Sequence, residues 1–189
     1  MRNLFIAFGL LVMLSCPVFA ETGFVESVID GRTLKLVSGE TIRLIGVDLP
    51  LTGSMDQDAI AKKQKETADF MRGLVSGYLV ELEYDVQKQD DEGNLLAYVW
   101  FEYEGSADNS TMAIPENYDS YLVNYKEGSS SVFVFLNSTL IKAGHGNPSH
   151  DTINVKHAKV FSDLYAKRVS KDSLAKAEDK DGLQTVLNK

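Results

Sequence analysis

The sequence predicts an α+β fold that is mainly β: a small closed barrel of five strands with about three helices. Three observations predict it. Short stretches of alternating apolar and polar residues follow one another across tight turns at the start of the chain. The spacing then changes to a helical period, and two more strand-like stretches come after it. Strand pairs joined by short turns around one helix are typical of a small closed barrel.

The first three strands are predicted to form a meander. They run over residues 24–28, 33–37 and 41–47. Asp30-Gly31 and Ser38-Gly39-Glu40 lie between them, and both segments favour turns. The alternation also sets the register of the strands, because a slip of one residue would turn the apolar face outward.

A helix is predicted next, over residues 56–75. Ser54 or Asp56 provides its N-cap, and Gly73 or Gly77 ends it. Apolar residues recur at helical spacing along it, which predicts a face directed at the barrel. That face consists of Ile60, Thr67, Phe70, Met71 and Leu74.

The second half of the chain completes the barrel and adds helices. The fourth and fifth strands are predicted over residues 79–86 and 95–103, joined by a polar turn at residues 90–94. Residues 104–131 are rich in Asn, Ser, Gly and acids and are predicted to be an inserted loop. A helix that Asn137 caps and Gly144 ends follows. A charged helix over residues 155–180 comes last. Its predicted inner positions are Ala158, Phe161, Leu164, Tyr165 and Val169.

Length and charge restrict the function. The chain has 189 residues and a formal net charge of −8. That length suits one domain with elaborations, or two small ones. A nucleic-acid binder with a broad basic surface has the opposite charge, because its Lys and Arg replace the counterions of phosphates. The charge therefore excludes that class and allows only a local basic pocket.

The first 20 residues are predicted to be a cleaved secretory signal. Arg2 precedes a short apolar stretch, and small side chains follow at the positions that a signal peptidase recognises. The apolar stretch is shorter than the roughly 20 residues that span a bilayer. We therefore expect a secreted or periplasmic protein with no integral membrane segment. Cys16 is the only cysteine, and it offers the alternative of a lipoprotein anchored through that residue.

Four motifs occur in order along the chain, at residues 28–34, 42–50, 90–99 and 136–144. The first contains Asp30-Gly31-Arg32-Thr33 and the second Val47-Asp48-Leu49-Pro50. In this order and spacing the chain resembles the staphylococcal (micrococcal) nuclease-like family, also called thermonuclease. The resemblance implies that residues 21–150 form a five-stranded OB-fold barrel with helices. Residues 151–189 would then form a C-terminal helix on the barrel and a polar tail.

The resemblance also implies an active site that hydrolyses phosphodiesters of DNA and RNA with one calcium ion. Asp48 retains a metal-ligand position, and Arg43 retains a phosphate-contact position. Arg32 replaces the other carboxylate ligand, Leu51 replaces the glutamate that orients water, and Asn94 replaces a second arginine. Three side-chain roles are therefore absent, which implies that catalysis is impaired.

The charge of Arg32 predicts more than the loss of a ligand. Calcium affinity falls as carboxylates are lost, and a guanidinium places a fixed positive charge where the ion would lie. Two unit charges about 4 Å apart interact by about 4 kcal/mol at an effective dielectric constant of 20. We therefore expect Arg32 to pair with Asp48, and we expect no calcium cofactor unless the site is functional. In the alternative alignment, Asp30 or Asp90 takes over the ligand position.

Three functions remain open on this basis. The first is a thermonuclease-like protein that is catalytically impaired and acts as a binding or interaction module, with a protein or a single-stranded nucleic acid as partner. The second is a calcium-dependent nuclease that hydrolyses DNA or RNA. The third is a scaffold protein that a lipid on Cys16 anchors.

Two other groups of residues carry weaker predictions. His145, His150 and His157 would form a zinc site only if they converged, and we expect them to be solvated surface residues instead. Several aromatic residues near the insertion are candidates for stacking on bases or sugars, or for covering the core or a partner protein. They are Trp100, Tyr103, Tyr118, Tyr121 and Tyr125.

Overall fold

The computed structural model describes residues 21–51, 53, 55–103, 132–150 and 152–187. Its strands are β1 (Glu21–Asp30), β2 (Thr33–Leu36), β3 (Thr41–Leu44), β4 (Val47–Asp48), β5 (Leu79–Glu83), β6 (Leu95–Tyr103), β7 (Val132–Phe135) and β8 (Asn147–Pro148). Its helices are α1 (Gln57–Val75), α2 (Leu136–Ala143) and α3 (Ala158–Leu187). The predicted bounds of the fifth barrel strand, residues 95–103, are confirmed.

Five strands close into a barrel. The first part of β1 pairs with β5 and the second part with β2, both antiparallel. β2 also pairs with β3, and β5 also pairs with β6, both antiparallel. The barrel closes where β3 runs parallel to β6, with Ile42 opposite Leu95 and Leu44 opposite Ala97. The predicted fold class is therefore confirmed: a mainly β, five-stranded OB-type barrel with three helices.

β4 and β8 lie outside the barrel and form a two-stranded ribbon, in which Asp48 is opposite Asn147. Gly46 separates this ribbon from β3, with a positive φ of 75°. A Cβ at Gly46 would lie 2.4 Å from the ring of Phe161, so only glycine fits the turn. The single strand predicted over residues 41–47 is therefore two short strands, because the chain turns at Gly46.

α1 packs on β1 and begins where the sequence predicts. Asp56 caps it by accepting a hydrogen bond from the backbone nitrogen of Ala59 at 2.8 Å. The chain leaves the helix through Gly77, which has a φ of 79°. Thr67 and Met71 are fully buried, as predicted. The other predicted inner residues are half-buried: Ile60, Phe70 and Leu74.

Asn137 does not cap α2, so that prediction is wrong. The helix begins at Leu136, and Asn137 is fully buried in its first turn. Its Oδ1 accepts a hydrogen bond from the backbone nitrogen of Val99 at 2.9 Å, and its Nδ2 donates to the carbonyl of Ile45 at 2.8 Å. Asn137 thus satisfies two main-chain groups from different parts of the barrel. Gly144 ends the helix in the left-handed conformation, as predicted.

α3 begins three residues later than predicted and contacts the rest of the domain along one side. Phe161 is buried, and Leu164 packs against the core. Three of the predicted inner residues are exposed instead: Ala158, Tyr165 and Val169. The helix packs on α2 and β8, next to the ribbon that carries Asp48.

Several predictions concern residues outside the described ranges. The signal at residues 1–20, including Cys16, and the inserted loop at residues 104–131 with its three tyrosines are among them. Export and lipid anchoring therefore stay predictions. Within the described ranges, no helix is long and apolar enough to cross a membrane.

Candidate functional site

A cleft of about 330 Å³ lies between the barrel and the β4–β8 ribbon. The apolar part of its lining comes mainly from β3, the turn after β3, and β6. Its polar lining consists of Arg32, Arg43, Asp48, Ser149 and His150. The structure thus brings three of the five predicted site residues into one cavity: Arg32, Arg43 and Asp48.

Arg32 lies immediately before β2, and Arg43 lies on the neighbouring strand β3, so both side chains reach the cleft. Arg32 follows the turn at Asp30, whose Oδ1 accepts a hydrogen bond from the Arg32 nitrogen at 2.8 Å. The backbone nitrogen of Leu44 donates to the Arg32 carbonyl at 2.9 Å, which places Arg32 beside the end of β3. Asp30 therefore stabilises the turn, as predicted.

Arg32 forms an ion pair with Asp48 in the cleft, as expected from the sequence. Arg32 Nη1 lies 2.9 Å from Asp48 Oδ1. The two side chains are 31% and 47% exposed, so water screens the pair. Exposed pairs of this kind contribute about 0–1 kcal/mol to stability. The pair matters because the Arg32 guanidinium occupies an Asp48 carboxylate oxygen that would otherwise be free to bind a ligand.

Arg43 contacts carboxylates on the turn between β5 and β6. Its Nη1 lies 3.5 Å from Asp90 Oδ2 and 3.4 Å from Glu92 Oε2. Asp90 also accepts hydrogen bonds from the backbone nitrogens of Glu92 and Asn94. Burial alone would raise the pKa of Asp90, but a hydrogen bond from the Asn94 side chain, these two backbone hydrogen bonds and the Arg43 charge lower it. Asp90 is therefore an ionised group that organises the turn.

Leu51 and Asn94 do not line the cleft. Leu51 is exposed, and its backbone nitrogen donates to the carbonyl of Leu49 at 2.8 Å. The Asn94 amide donates to Asp90 Oδ2 at 2.9 Å and so reaches the cleft only through Asp90 and Arg43. A leucine cannot orient water, and this amide is engaged with a carboxylate.

The cleft does not fit the calcium ion that the family resemblance implies. Calcium takes six to eight oxygen ligands. Of the described residues that line the cleft, only Asp48 carries a carboxylate, and Arg32 contacts it. Across the described ranges as a whole, no three His, Cys, Asp or Glu side chains form a group that could bind a metal ion. No catalytic step through calcium follows from this donor set.

His157 is not a solvated surface residue, which corrects the prediction. Its Nε2 lies 3.1 Å from Glu83 Oε2, and its ring packs edge-on against Tyr98 with centroids 4.5 Å apart. It lies just before α3, not within it. Because its neighbours are one carboxylate and aromatic rings, His157 belongs to the packing beneath α3.

His145 is also packed, whereas His150 is exposed. His145 stacks on Phe70 with ring centroids 4.1 Å apart, and burial lowers its pKa. Its buried Nδ1 has no hydrogen-bond partner among the described residues. His150 lines the cleft beside Arg32 and Arg43. The three histidines do not converge on a metal site.

Among the described carboxylates, Glu83 has the pKa that departs most from its ordinary value. Trp100 Nε1 donates to its Oε2 at 2.9 Å, and Lys156 forms an ion pair with it. Burial alone would raise the pKa of Glu83, but hydrogen bonds from His157, Lys156 and Trp100 outweigh burial and lower it to about 2. Trp100 also stacks on Phe135, so it is engaged in the core and is not an open platform for bases.

Four further residues shape the cleft; Ser149 and Glu92 were not singled out from the sequence, and His150 and Asp90 were considered only as metal ligands. Ser149 and His150 line it, and Asp90 and Glu92 contact Arg43. The acidic turn was visible in the sequence, but its contact with Arg43 spans 47 and 49 residues. Local patterns do not indicate which basic residue such a turn faces.

Comparison with known proteins identifies the family. Residues 41–167 match the family described as Staphylococcal nuclease homologue. The chain is 37% identical over 89 residues to "Thermonuclease" of Staphylococcus intermedius, covering 46% of this chain and 52% of that protein. It is 39% identical over 83 residues to "Thermonuclease" of Staphylococcus hyicus, covering 42% and 48%. The chain spans about half the length of the curated relatives it matches.

The family match covers well over half of the chain and includes Arg43, Asp48, Leu51 and Asn94. Arg32 lies before the matched range, so its place in the site depends on its contact with Asp48. Fold, motif order and family match agree. This chain therefore belongs to the staphylococcal nuclease homologue family.

Proposed function

We propose that this chain is a non-hydrolysing member of its family that binds a short phosphate-bearing ligand in the Arg32–Arg43 cleft without calcium. The observation that carries the proposal is the 2.9 Å contact between Arg32 Nη1 and Asp48 Oδ1. It leaves the retained carboxylate paired with a fixed cation. A short single-stranded oligonucleotide is the ligand we expect.

Loss of hydrolysis follows from the combined substitutions. A positioned general base contributes roughly 10²–10⁴ in rate, and Leu51 has no such group. A charge-stabilising donor contributes about 10²–10³, and Asn94 replaces the arginine that would supply one. These factors do not simply multiply. Because Arg32 also pairs with Asp48, the carboxylate at the metal-ligand position, we expect no measurable calcium-dependent turnover.

Binding follows from the two guanidinium groups that line one cavity. The contacts of Arg43 with Asp90 and Glu92 are 3.5 and 3.4 Å, longer than the roughly 2.7–2.9 Å of a strong charged hydrogen bond. A phosphate oxygen at normal distance would therefore compete for Arg43. Arg32 uses one nitrogen on Asp48 and has further N–H donors.

The same charges favour a short ligand over a long one. Asp90 and Glu92 lie beside Arg43, and the whole chain carries a net charge of −8. A long polyanion would be repelled outside the cleft. One or two phosphate groups within about 330 Å³ avoid most of that repulsion.

The test measures cleavage and binding on the same short oligothymidylate. We expect no cleavage with calcium or with chelator, and binding that persists in chelator. Arg43→Gln should weaken binding at least about tenfold, because a hydrogen bond to a charged group is lost. The control Arg72→Gln removes an arginine of α1 that pairs with Asp69 and should leave binding unchanged. Cleavage by the wild-type chain that chelator abolishes would overturn the proposal. If the wild-type chain does not bind the oligonucleotide, the proposed ligand is wrong and a protein partner is favoured.

A calcium-dependent nuclease is the second candidate. The observation that favours it is the exposure of the Arg32–Asp48 pair, which a competing cation could open at small cost. The two curated relatives are named thermonucleases. Under this function the wild-type chain cleaves the oligonucleotide with calcium, and Asp48→Asn abolishes the cleavage.

A further inference from the structure

Arg168 of α3 contacts the segment that joins α2 to the β4–β8 ribbon. Its Nη1 donates to the carbonyls of Ile141 and Gly146, the latter at 3.0 Å. Its Nη2 donates to Asn147 Oδ1 at 2.9 Å. The guanidinium thus lies at the C-terminal end of α2, where a cation is favourable, and touches the first residue of β8.

The segment that Arg168 contacts packs tightly against the strand that carries Asp48. Asn147 is opposite Asp48 in the ribbon. A Cβ at Gly146 would lie 2.7 Å from a methyl group of Val47. Because close-packed groups move together, a shift of Gly146 or Asn147 would displace Val47 and Asp48.

α3 supports the same ribbon at a second point. The ring of Phe161 packs under Gly46, immediately before β4. Phe161 and Arg168 are seven residues apart, so they lie on one face of α3 two turns from each other. The helix therefore contacts β8 through a guanidinium and the residue before β4 through an apolar ring.

We propose that Arg168 is a positioning residue of the cleft. By its hydrogen bonds to Gly146 and Asn147 it fixes the β4–β8 ribbon, and thereby sets the position of Asp48 relative to Arg32. Its effect on ligand affinity depends on the proposed function, whereas its effect on the Arg32–Asp48 pair does not. The family match ends at residue 167, so Arg168 lies just beyond it.

The test compares Arg168→Gln and Arg168→Lys with the control Lys159→Gln. Lys159 is an exposed residue of the same helix, and its ion pair with Asp163 stays within α3. Nitrogen–proton NMR spectra report the Arg32 side-chain Nε–H and the Val47 and Asp48 amides. We expect both Arg168 variants to shift these signals and the control to leave them unchanged. Lysine should not rescue, because its ammonium does not match the two-nitrogen geometry of a guanidinium.

Affinity for the oligothymidylate in chelator is the second measurement. Each Arg168 variant should weaken it about 3- to 10-fold, as expected for a residue that acts through another. Signals of α2 and α3 that shift while those of Arg32, Val47 and Asp48 stay in place would overturn the proposal, because Arg168 would then only join two helices. If the wild-type chain binds no oligonucleotide, the proposed function fails while the NMR signals still test Arg168.

Discussion

Two carboxylates in this chain carry cationic partners in different surroundings. Within the described ranges Asp48 has one ion-pair contact, with Arg32, and it is 47% exposed. Glu83 is 24% exposed and is contacted by Trp100, Lys156 and His157. Solvated pairs contribute little to stability, whereas removing a carboxylate that several donors share leaves those donors unsatisfied. We therefore expect the Arg32–Asp48 pair to contribute less to the stability of the fold than the contacts of Glu83.

The largest expected effect comes from restoring the family residues in the cleft region. The triple variant Arg32→Asp, Leu51→Glu and Asn94→Arg should gain calcium-dependent cleavage of single-stranded DNA by at least about 10²-fold over the wild-type chain. According to the family resemblance, the three changes would supply a ligand, a base and a charge-stabilising donor on one scaffold. Cleavage is measured with calcium and with chelator.

The single variant Arg32→Asp is the control for that experiment, since it restores a ligand without the base or the donor. We expect it to remain inactive. If the folded triple variant is also inactive, the cleft itself has been remodelled and the substitutions alone do not account for the loss of activity.

The second prediction compares the stability contributions of the two carboxylates. Glu83→Ala should lower the free energy of unfolding by about 1–3 kcal/mol, because Trp100 Nε1 and His157 lose their half-buried partner. Asp48→Ala should lower it by about 0–1 kcal/mol. Urea unfolding of both variants measures the difference. Equal losses of unfolding free energy would contradict the claim that the ion pair in the cleft contributes less to stability than the contacts of Glu83.

The third prediction concerns the loss of stability at low pH. The pKa of Glu83 is lowered from 4.5 to about 2 in the folded chain. Between those values the unfolded chain binds the proton more readily, so this contribution to stability is complete above about pH 4.5 and is lost as pH falls toward 2. We expect Glu83 to account for roughly 1–2 kcal/mol of that loss, after allowing for its partial exposure to solvent.

Glu83→Gln provides the comparison for the acid experiment. It should flatten the stability curve between pH 4.5 and 2, measured by urea unfolding at several pH values. An unchanged slope in Glu83→Gln would show that other carboxyls cause the acid sensitivity.

Much of the fold was predictable because its signals are local. The bounds of β6 were predicted to the residue, the cap at Asp56 correctly marked the start of α1, and Gly144 correctly marked the end of α2. The pairing of Arg32 with Asp48 was predicted from the family motifs and the opposite charges that they bring together.

Three of the failures involve contacts between distant parts of the chain. Asn137 looked like a cap, yet its amide joins Val99 to Ile45 inside the barrel. His157 looked solvated because nothing near it in sequence indicates Glu83, 74 residues away. Arg168 lies in a charged helix that resembles a solvated surface, and only the packing of α3 on the ribbon reveals its contacts.

Calorimetric titration of calcium into the wild-type chain and into Arg32→Asp tests the central claim most directly. The account predicts no binding to the wild-type chain up to millimolar calcium. It predicts measurable binding to the variant, because a carboxylate then replaces the cation beside Asp48. Micromolar binding to the wild-type chain that Asp48→Asn abolishes would contradict the claim that Arg32 takes the place of the metal.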